Sequence, residues 1–284
     1  AMWGPAVRDG KSVFPTYRDL GVGIYQMAVP WNELAPTRPA DPTNPADPAY
    51  RWPDVEPTLV EAKRFGMKVM LMVVGAPAWA NGGHEDRAWA PRDPKDYANF
   101  MKAISKKYPS IKMWMVWGEP NRQPNFKPLS PSRTGPLNAE QAVAPRQYGK
   151  ILNEAYKAIK SVNKNDLVIG GNTYTAAGKD SISTYQWLRY MSLPNGSMPK
   201  MDMWGHNPFT FRIPKLKSKA SPKGRVDFSD LKRLTKKLDL YYPGKKLKLF
   251  LSEFGVPGGG GKDAEVGFGL SYKAQAKWIK AAFK

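Results

Sequence analysis

Ile111-Lys112-Met113-Trp114-Met115-Val116-Trp117-Gly118-Glu119-Pro120-Asn121 begins as a nearly unbroken apolar run and stops at a glycine, a carboxylate and a proline. A run this short, apolar on both alternating faces, reads as a parallel-sheet strand buried on two sides. Glu119 then stands at the strand's C-terminal end. A second stretch repeats the pattern: the run 247–251 is followed by Ser252-Glu253-Phe254-Gly255. Parallel α/β folds keep their chemistry at strand C-terminal ends, so Glu119 and Glu253 are expected on one face of the molecule.

Working outward, 22–29, 68–74, 167–171 and 201–204 are further strand-like runs, and 1–4 is counted as the first strand. From residue 22 onward the strand starts lie 34 to 56 residues apart, room for one strand, one helix and loops per repeat. Between strands, Tyr97, Phe100, Met101, Ile104 and Tyr108 recur at helical spacing, as do Tyr148, Ile151, Leu152, Ala155, Ile159 and Val162. Asp93-Pro94 supplies an N-cap and a first-turn proline for the former. Repeated strand–helix units predict a parallel α/β sheet, either closed as a (β/α)8 TIM barrel or open and doubly wound. Seven strands are countable, and the 31 residues after Glu253 are mostly a helical pattern around 272–283. The expectation is one barrel domain over residues 1–284 that lacks its last β/α unit through C-terminal truncation, since an open barrel would expose strand edges.

The long connections follow strands and would wall a cleft on the catalytic face. Residues 30–53 carry seven prolines, 122–146 is polar and proline-rich, and 258–261 is four glycines. That glycine run does not match a phosphate-binding loop, because Lys262 is followed by Asp263 rather than Ser or Thr. A mobile lid or a plain flexible loop fits it better. His84-Glu85-Asp86 has no second ligand cluster and reads as a surface loop, so neither metal nor cofactor is expected.

The chain has 284 residues, 42% of them hydrophobic, with ten Trp, thirteen Tyr and eleven Phe. Such aromatic richness suits stacking on the C–H faces of sugars, although most of these rings will be core. No apolar stretch reaches the roughly 20 residues a bilayer span needs, and the start lacks a signal-peptide pattern. Zero cysteines exclude disulfides and thiolate chemistry and fit a secreted bacterial protein as well as a cytosolic one; an extracellular location is the expectation adopted. The net charge of +20 favours anionic partners. Much of it lies in 212–225, where Pro214 and Pro222 oppose a helix and a solvated loop is expected.

Cleaving a glycoside takes one carboxyl protonated at neutral pH and another ionised opposite the charge developing at the anomeric carbon. Partial desolvation beside Trp117 and Pro120, plus the charge of Glu253, would make Glu119 the acid/base and leave Glu253 as nucleophile. The two motifs resemble those of the retaining glycoside hydrolases of clan A, (β/α)8 barrels that include cellulase-like and β-xylosidase-like families. Residues 117–121 are similar to that group's Trp-Asn-Glu-Pro-Asn at the end of the fourth strand, and 251–255 to its seventh-strand nucleophile motif. Ala76-Pro77-Ala78-Trp79-Ala80, Trp31-Asn32-Glu33 and His206-Asn207-Pro208-Phe209 resemble segments after its third, second and sixth strands. The resemblance implies a retaining β-glycosidase acting by double displacement, with Asn121 in the acid/base motif and Asn172, His206 and Asn207 near the sugar. Gly118 stands where the group has the asparagine that binds the sugar 2-hydroxyl, so Asn172 or Asn207 would take over that contact. Phe209 stands where it has a tyrosine.

Trp31 and Trp79, past strand ends, are candidates for sugar stacking, with rim packing as the equal alternative. His206 reads equally as a structural ring bonded to backbone. Two other functions compete: a catalytically impaired carbohydrate-binding barrel, motivated by Gly118 and Phe209, and a basic binder of anionic polymer, motivated by the charge. No nucleic-acid-binding motif is present, so a carbohydrate is the expected partner.

Overall fold

The computed structural model describes residues 1–53, 55–261 and 268–283. Among them, seven strands pair in chain order, every neighbour parallel. They are β1 (Met2–Trp3), β2 (Ile24–Pro30), β3 (Lys68–Val74), β4 (Met113–Val116), β5 (Leu167–Tyr174), β6 (Met203–Asn207) and β7 (Lys248–Leu251). A helix follows each one: α1 (Phe14–Asp19), α2 (Glu56–Arg64), α3 (Pro94–Lys107), α4 (Val143–Val162), α5 (Thr184–Tyr190), α6 (Leu231–Tyr241) and α7 (Tyr272–Ala282). Asp93 caps α3 as expected, its carboxylate accepting the Lys95 amide at 2.9 Å with Pro94 at the first helical position.

Side chains alternate across a strand, and here the alternation divides two apolar layers. Leu71, Val73, Trp114, Val116 and Val168 point outward and pack with Tyr97, Phe100, Ile104, Tyr148 and Leu152 of the helices. Met70, Met72, Met113, Met115, Ile169 and Phe250 point inward and form their own cluster, joined by Ile24 and Met203. One cluster drawing on β2 through β7 requires the sheet to curl around it, as a (β/α)8-type barrel does. Unbranched methionine suits such an interior because it conforms to irregular space.

Among the described residues nothing pairs with the outer edges of β1 and β7. The seam between them is a cavity of about 770 Å³ lined by Trp3, Leu251, Phe228, Phe254, Ile279 and Phe283. None of the side chains of α7 is buried. The described residues thus form a seven-stranded sheet, the (β/α)8-type fold without its last unit that the strand count leads one to expect. Lys262 and Asp263, used above to set aside a phosphate-binding loop, lie outside them, whereas Gly260 donates its amide to Leu270 O at 3.0 Å.

Residues 212–225 carry no helix or strand, as expected of a proline-broken loop, but Arg212 is an anchor rather than a solvated charge. Its guanidinium meets Asp227 at 2.9 Å and Asp230 at 3.4 Å, both carboxylates nearly fully buried. A buried carboxylate needs a paired cation, which residue counting along the loop did not reveal.

The methionine-lined interior makes a testable claim. Met115→Ala, at a fully buried position, should lower unfolding free energy in urea by about 2–5 kcal/mol. Leu240→Ala, at a position 66% exposed, should change it by less than about 0.5 kcal/mol. Equal small effects would mean that the barrel interior is not packed.

Candidate active site

The end of β4 departs from extended backbone at once. Trp117 (φ 67°) and Glu119 (φ 42°) are left-handed, as is Asn172 (φ 41°) near the end of β5. Non-glycine residues in this region cost on the order of 1–3 kcal/mol each and persist where the surroundings over-determine them. The restraints are visible. The Trp117 amide donates to Val73 O at 3.0 Å and its indole Nε1 to Asn125 O at 2.7 Å, with its ring edge-on to Phe126 at 5.3 Å. From the helices, Tyr97 OH donates to Val73 O at 2.8 Å and Tyr148 OH to Val116 O at 3.0 Å, while the Gly171 amide donates to Tyr148 OH at 2.8 Å. Burial pushes both phenols up, so they remain donors at any physiological pH.

Glu119 and Glu253 line one cleft of about 440 Å³, together with Trp3, Met72, Arg87, Trp117, Gly118 and Arg122. Glu119 is 8% exposed. Its Oε1 accepts from Asn207 Nδ2 at 2.9 Å, and its Oε2 from Arg122 Nη1 at 3.1 Å and Asn125 Nδ2 at 3.3 Å. Donors of this kind favour the ionised carboxylate and oppose the desolvation expected to keep it protonated. Below the pair, Ser252 Oγ lies between the side-chain amides of Asn172 and Asn207, bonded to both. A register shift between β5 and β6, at Gly170 to Thr173, accompanies the turn that brings Asn172 to Ser252.

Gly118 has a steric reason. A Cβ there would stand 3.1 Å from Met72 Sδ and 3.3 Å from Val74 Cγ1, so any larger side chain requires these two to give way by a few tenths of an ångström.

The remaining residues singled out from the sequence lie behind the cleft wall. Trp31 is fully buried, stacked on Phe100 at 5.7 Å. Trp79 donates Nε1 to Ala35 O at 2.7 Å and lies under Arg38. Neither lines the cleft. Asn121 is fully buried and spends its amide on Tyr174 and Ile182, stitching the β4 loop to the end of β5. Asn172 and Asn207 are also fully buried; Asn172 turns Nδ2 onto Met72 Sδ at 3.5 Å and Asn207 gives Nδ2 to Glu119, so neither presents its amide to the cleft for a sugar hydroxyl. His206 is sealed in: Nε2 donates to Val226 O at 2.8 Å, so Nδ1 accepts from the Thr173 hydroxyl at 2.9 Å, and burial lowers its pKa to about 4. His84 stacks on Trp89 at 3.9 Å, and among the described residues no group of three or more His, Asp or Glu is arranged to hold a metal. Among the cleft residues that went unread in the sequence are Trp3, Arg122 and Asn125. Trp3 is a 48% exposed ring at the end of β1. Arg122, three residues after Glu119, was legible as a local ion-pair partner.

No protein-family model matches the chain, and no curated protein matches it in sequence. In structure it is similar to a family 39 glycoside hydrolase from Bacteroides cellulosilyticus WH2, with TM-score 0.58 and 14% identity over 89% of this chain and 48% of that one. A glucosidase from Croceicoccus marinus gives 0.64 and 15% over 93% and 53%, and a family 1 β-glucosidase from Thermotoga maritima 0.56 and 12% over 95% and 71%. These are clan A enzymes with a (β/α)8 fold. The likeness at such identities is one of fold, and the chain spans about half the length of the first two. The fold expected from the two glutamate motifs is therefore the one found.

The sealed histidine carries a pH signature. An unfolded chain binds a proton near pH 6.5 that folded His206 refuses until about pH 4, so stability present at neutral pH is lost as pH falls through that window. Urea unfolding should show stability falling between pH 6.5 and 5, with a shallower slope in His206→Gln. Equal slopes would mean that His206 is solvated.

Proposed function

We propose that this chain is a retaining β-glycosidase, with Glu119 as acid/base and Glu253 as nucleophile, acting on a polysaccharide or its oligosaccharides. One observation carries the proposal: two carboxylates 134 residues apart in sequence line a single cleft at the C-terminal ends of β4 and β7. The left-handed residues around them are further support, because strain of this kind gathers at catalytic sites. In the first step Glu119 gives a proton to the departing glycosidic oxygen while Glu253 attacks the anomeric carbon and forms a glycosyl ester. In the second, Glu119 takes a proton from water, which releases the sugar from Glu253 with its configuration retained. The exposed face of Trp3 serves the stacking role that Trp31 and Trp79 cannot. The glycan partner, with no nucleic acid, and a location outside a bacterial cell belong to the same proposal. Among the described residues no helix is long and apolar enough to cross a membrane.

A second reading, a carbohydrate-binding barrel with little turnover, is favoured by Gly118 and by the cation already seated on Glu119. Kinetics separate the two. Glu253→Ala should abolish hydrolysis of aryl glycosides. Glu119→Ala should slow poor leaving groups by about 10²–10⁴-fold and dinitrophenyl glycosides far less. Unchanged rates in either variant would reject the assignment, and saccharide affinity without turnover in the parent protein would select the second reading.

A further inference from the structure

Arg87 lines the cleft shared by Glu119, Glu253 and Trp3, and its side chain is 53% exposed. Among the described residues its guanidinium is met only by Glu33, Nη1 to Oε1 at 3.6 Å, beyond hydrogen-bond reach, and Glu33 is itself 65% exposed. A pair this long between exposed side chains holds weakly. The neighbouring cations are more closely engaged: Arg122 Nη1 stands 3.1 Å from Glu119, and Lys127 stands 2.7 Å from Asp86. The backbone that carries Arg87 is nonetheless fixed. Its carbonyl accepts from the Ala76 amide at 2.9 Å, just past β3, and the Lys127 amide donates to Ala88 O at 2.8 Å. Gly75, left-handed at φ 73°, lets the stem of Arg87 lie against the end of β3, since a Cβ there would come within 3.1 Å of Arg87 Cδ and 2.8 Å of Asn32 Oδ1. That Asn32 oxygen is buried with no hydrogen-bond partner, a second unmet polar group in the same wall.

We propose that Arg87 is a specificity-determining residue for an acidic substrate, binding the carboxylate of a uronic-acid unit in a glycan laid across this cleft. The inference rests on the reading of the cleft as a glycan site and names the class of sugar it takes. A guanidinium is planar and carries parallel N–H donors matched to the two oxygens of a carboxylate. A bidentate contact of that kind outcompetes Glu33 at 3.6 Å, whose exposed side chain turns into solvent. A neutral sugar unit has only hydroxyls to offer, and these bind a guanidinium less strongly than an anion does. Position matters as well as charge. Glu119, Glu253 and Asp86 make much of the remaining wall acidic, so a carboxylate is favoured only where a cation faces it, which ties the uronate to one unit of the bound chain. The net charge of +20 draws a polyanion toward the protein without choosing a site.

The test is isothermal titration calorimetry with a β-linked tetraglucuronate and its methyl ester, both thioether-linked so that binding is read without turnover. The parent protein should prefer the acid to the ester by about 10–100-fold. Arg87→Met should erase that preference and leave affinity for the ester little changed. Glu33→Gln, which removes the competing anion, should tighten the acid alone, and gives a reading at an exposed site even if Arg87→Met folds poorly. Lys237→Met, on the exposed side of α6, lowers the net charge equally and should leave the preference intact. Equal affinity for acid and ester, binding of neither, a preference that survives Arg87→Met, or one that falls as far in Lys237→Met overturns the inference. A sulfated tetrasaccharide held through Arg87 more tightly than the uronate overturns the carboxylate assignment. The oxygen-linked forms of both probes then separate this inference from the hydrolase reading. If Arg87 selects the acid while neither form is hydrolysed, the subsite stands and the hydrolase reading falls; hydrolysis of acid and ester alike, with equal affinities, fails the subsite alone.

Discussion

Parallel pairing in chain order is the constraint on which the rest depends. Each strand runs in the same direction as the one before it, so every strand C-terminus emerges at one end of the sheet, and residues remote in sequence meet there. Glu119 and Glu253 share a cleft for this reason and no other. The inward methionine layer keeps the sheet curled enough that Trp3 of β1 and Glu253 after β7 line the same space although their strands do not pair. Helices contribute by fixing strand ends: Tyr97 donates to Val73 O, next to last in β3, and Tyr148 to Val116 O, the last carbonyl of β4, immediately before the backbone turns left-handed at Trp117.

Much of this was legible in the residues because it depends on periodicity and punctuation. The strand cores, α3 with its Asp93 cap, α4 and the placement of both glutamates follow from apolar runs and from where they stop. What could not be read depends on direction in three dimensions. Trp31 and Trp79 follow strand ends just as a sugar-stacking ring would, but each rotates into the outer layer, where apolar burial outweighs exposure to the cleft. Trp3 was read only as part of the first strand, 1–4, with no role at the site. Asn121, Asn172 and Asn207 share a composition suited to binding sugars, yet buried backbone ends and a buried hydroxyl claim them first. Arg212 looked solvated because its partners, Asp227 and Asp230, lie beyond the end of the basic stretch.

The site also differs in electrostatics from what flanking residues suggest. Trp117 and Pro120 bring apolar surface to Glu119, but three donors reach its carboxylate, a guanidinium at 3.1 Å among them, and donors of this kind favour the ionised form. The same crowding explains Gly118: Met72, needed to fill the interior, extends to where a side chain at 118 would begin. Interior packing and site chemistry are thus coupled at one residue. Binding contacts that a side chain at 118 could have made must come instead from the walls, from Trp3 and from the loops after β3 and β4.

The most direct measurement is covalent trapping with a panel of 2-deoxy-2-fluoro glycosides bearing a good leaving group, followed by proteolysis and mass mapping of the labelled peptide. The expected result is a single label on Glu253, absent in Glu253→Gln. A label on Glu119, or on a residue outside the cleft, would contradict the assignment of these two carboxylates.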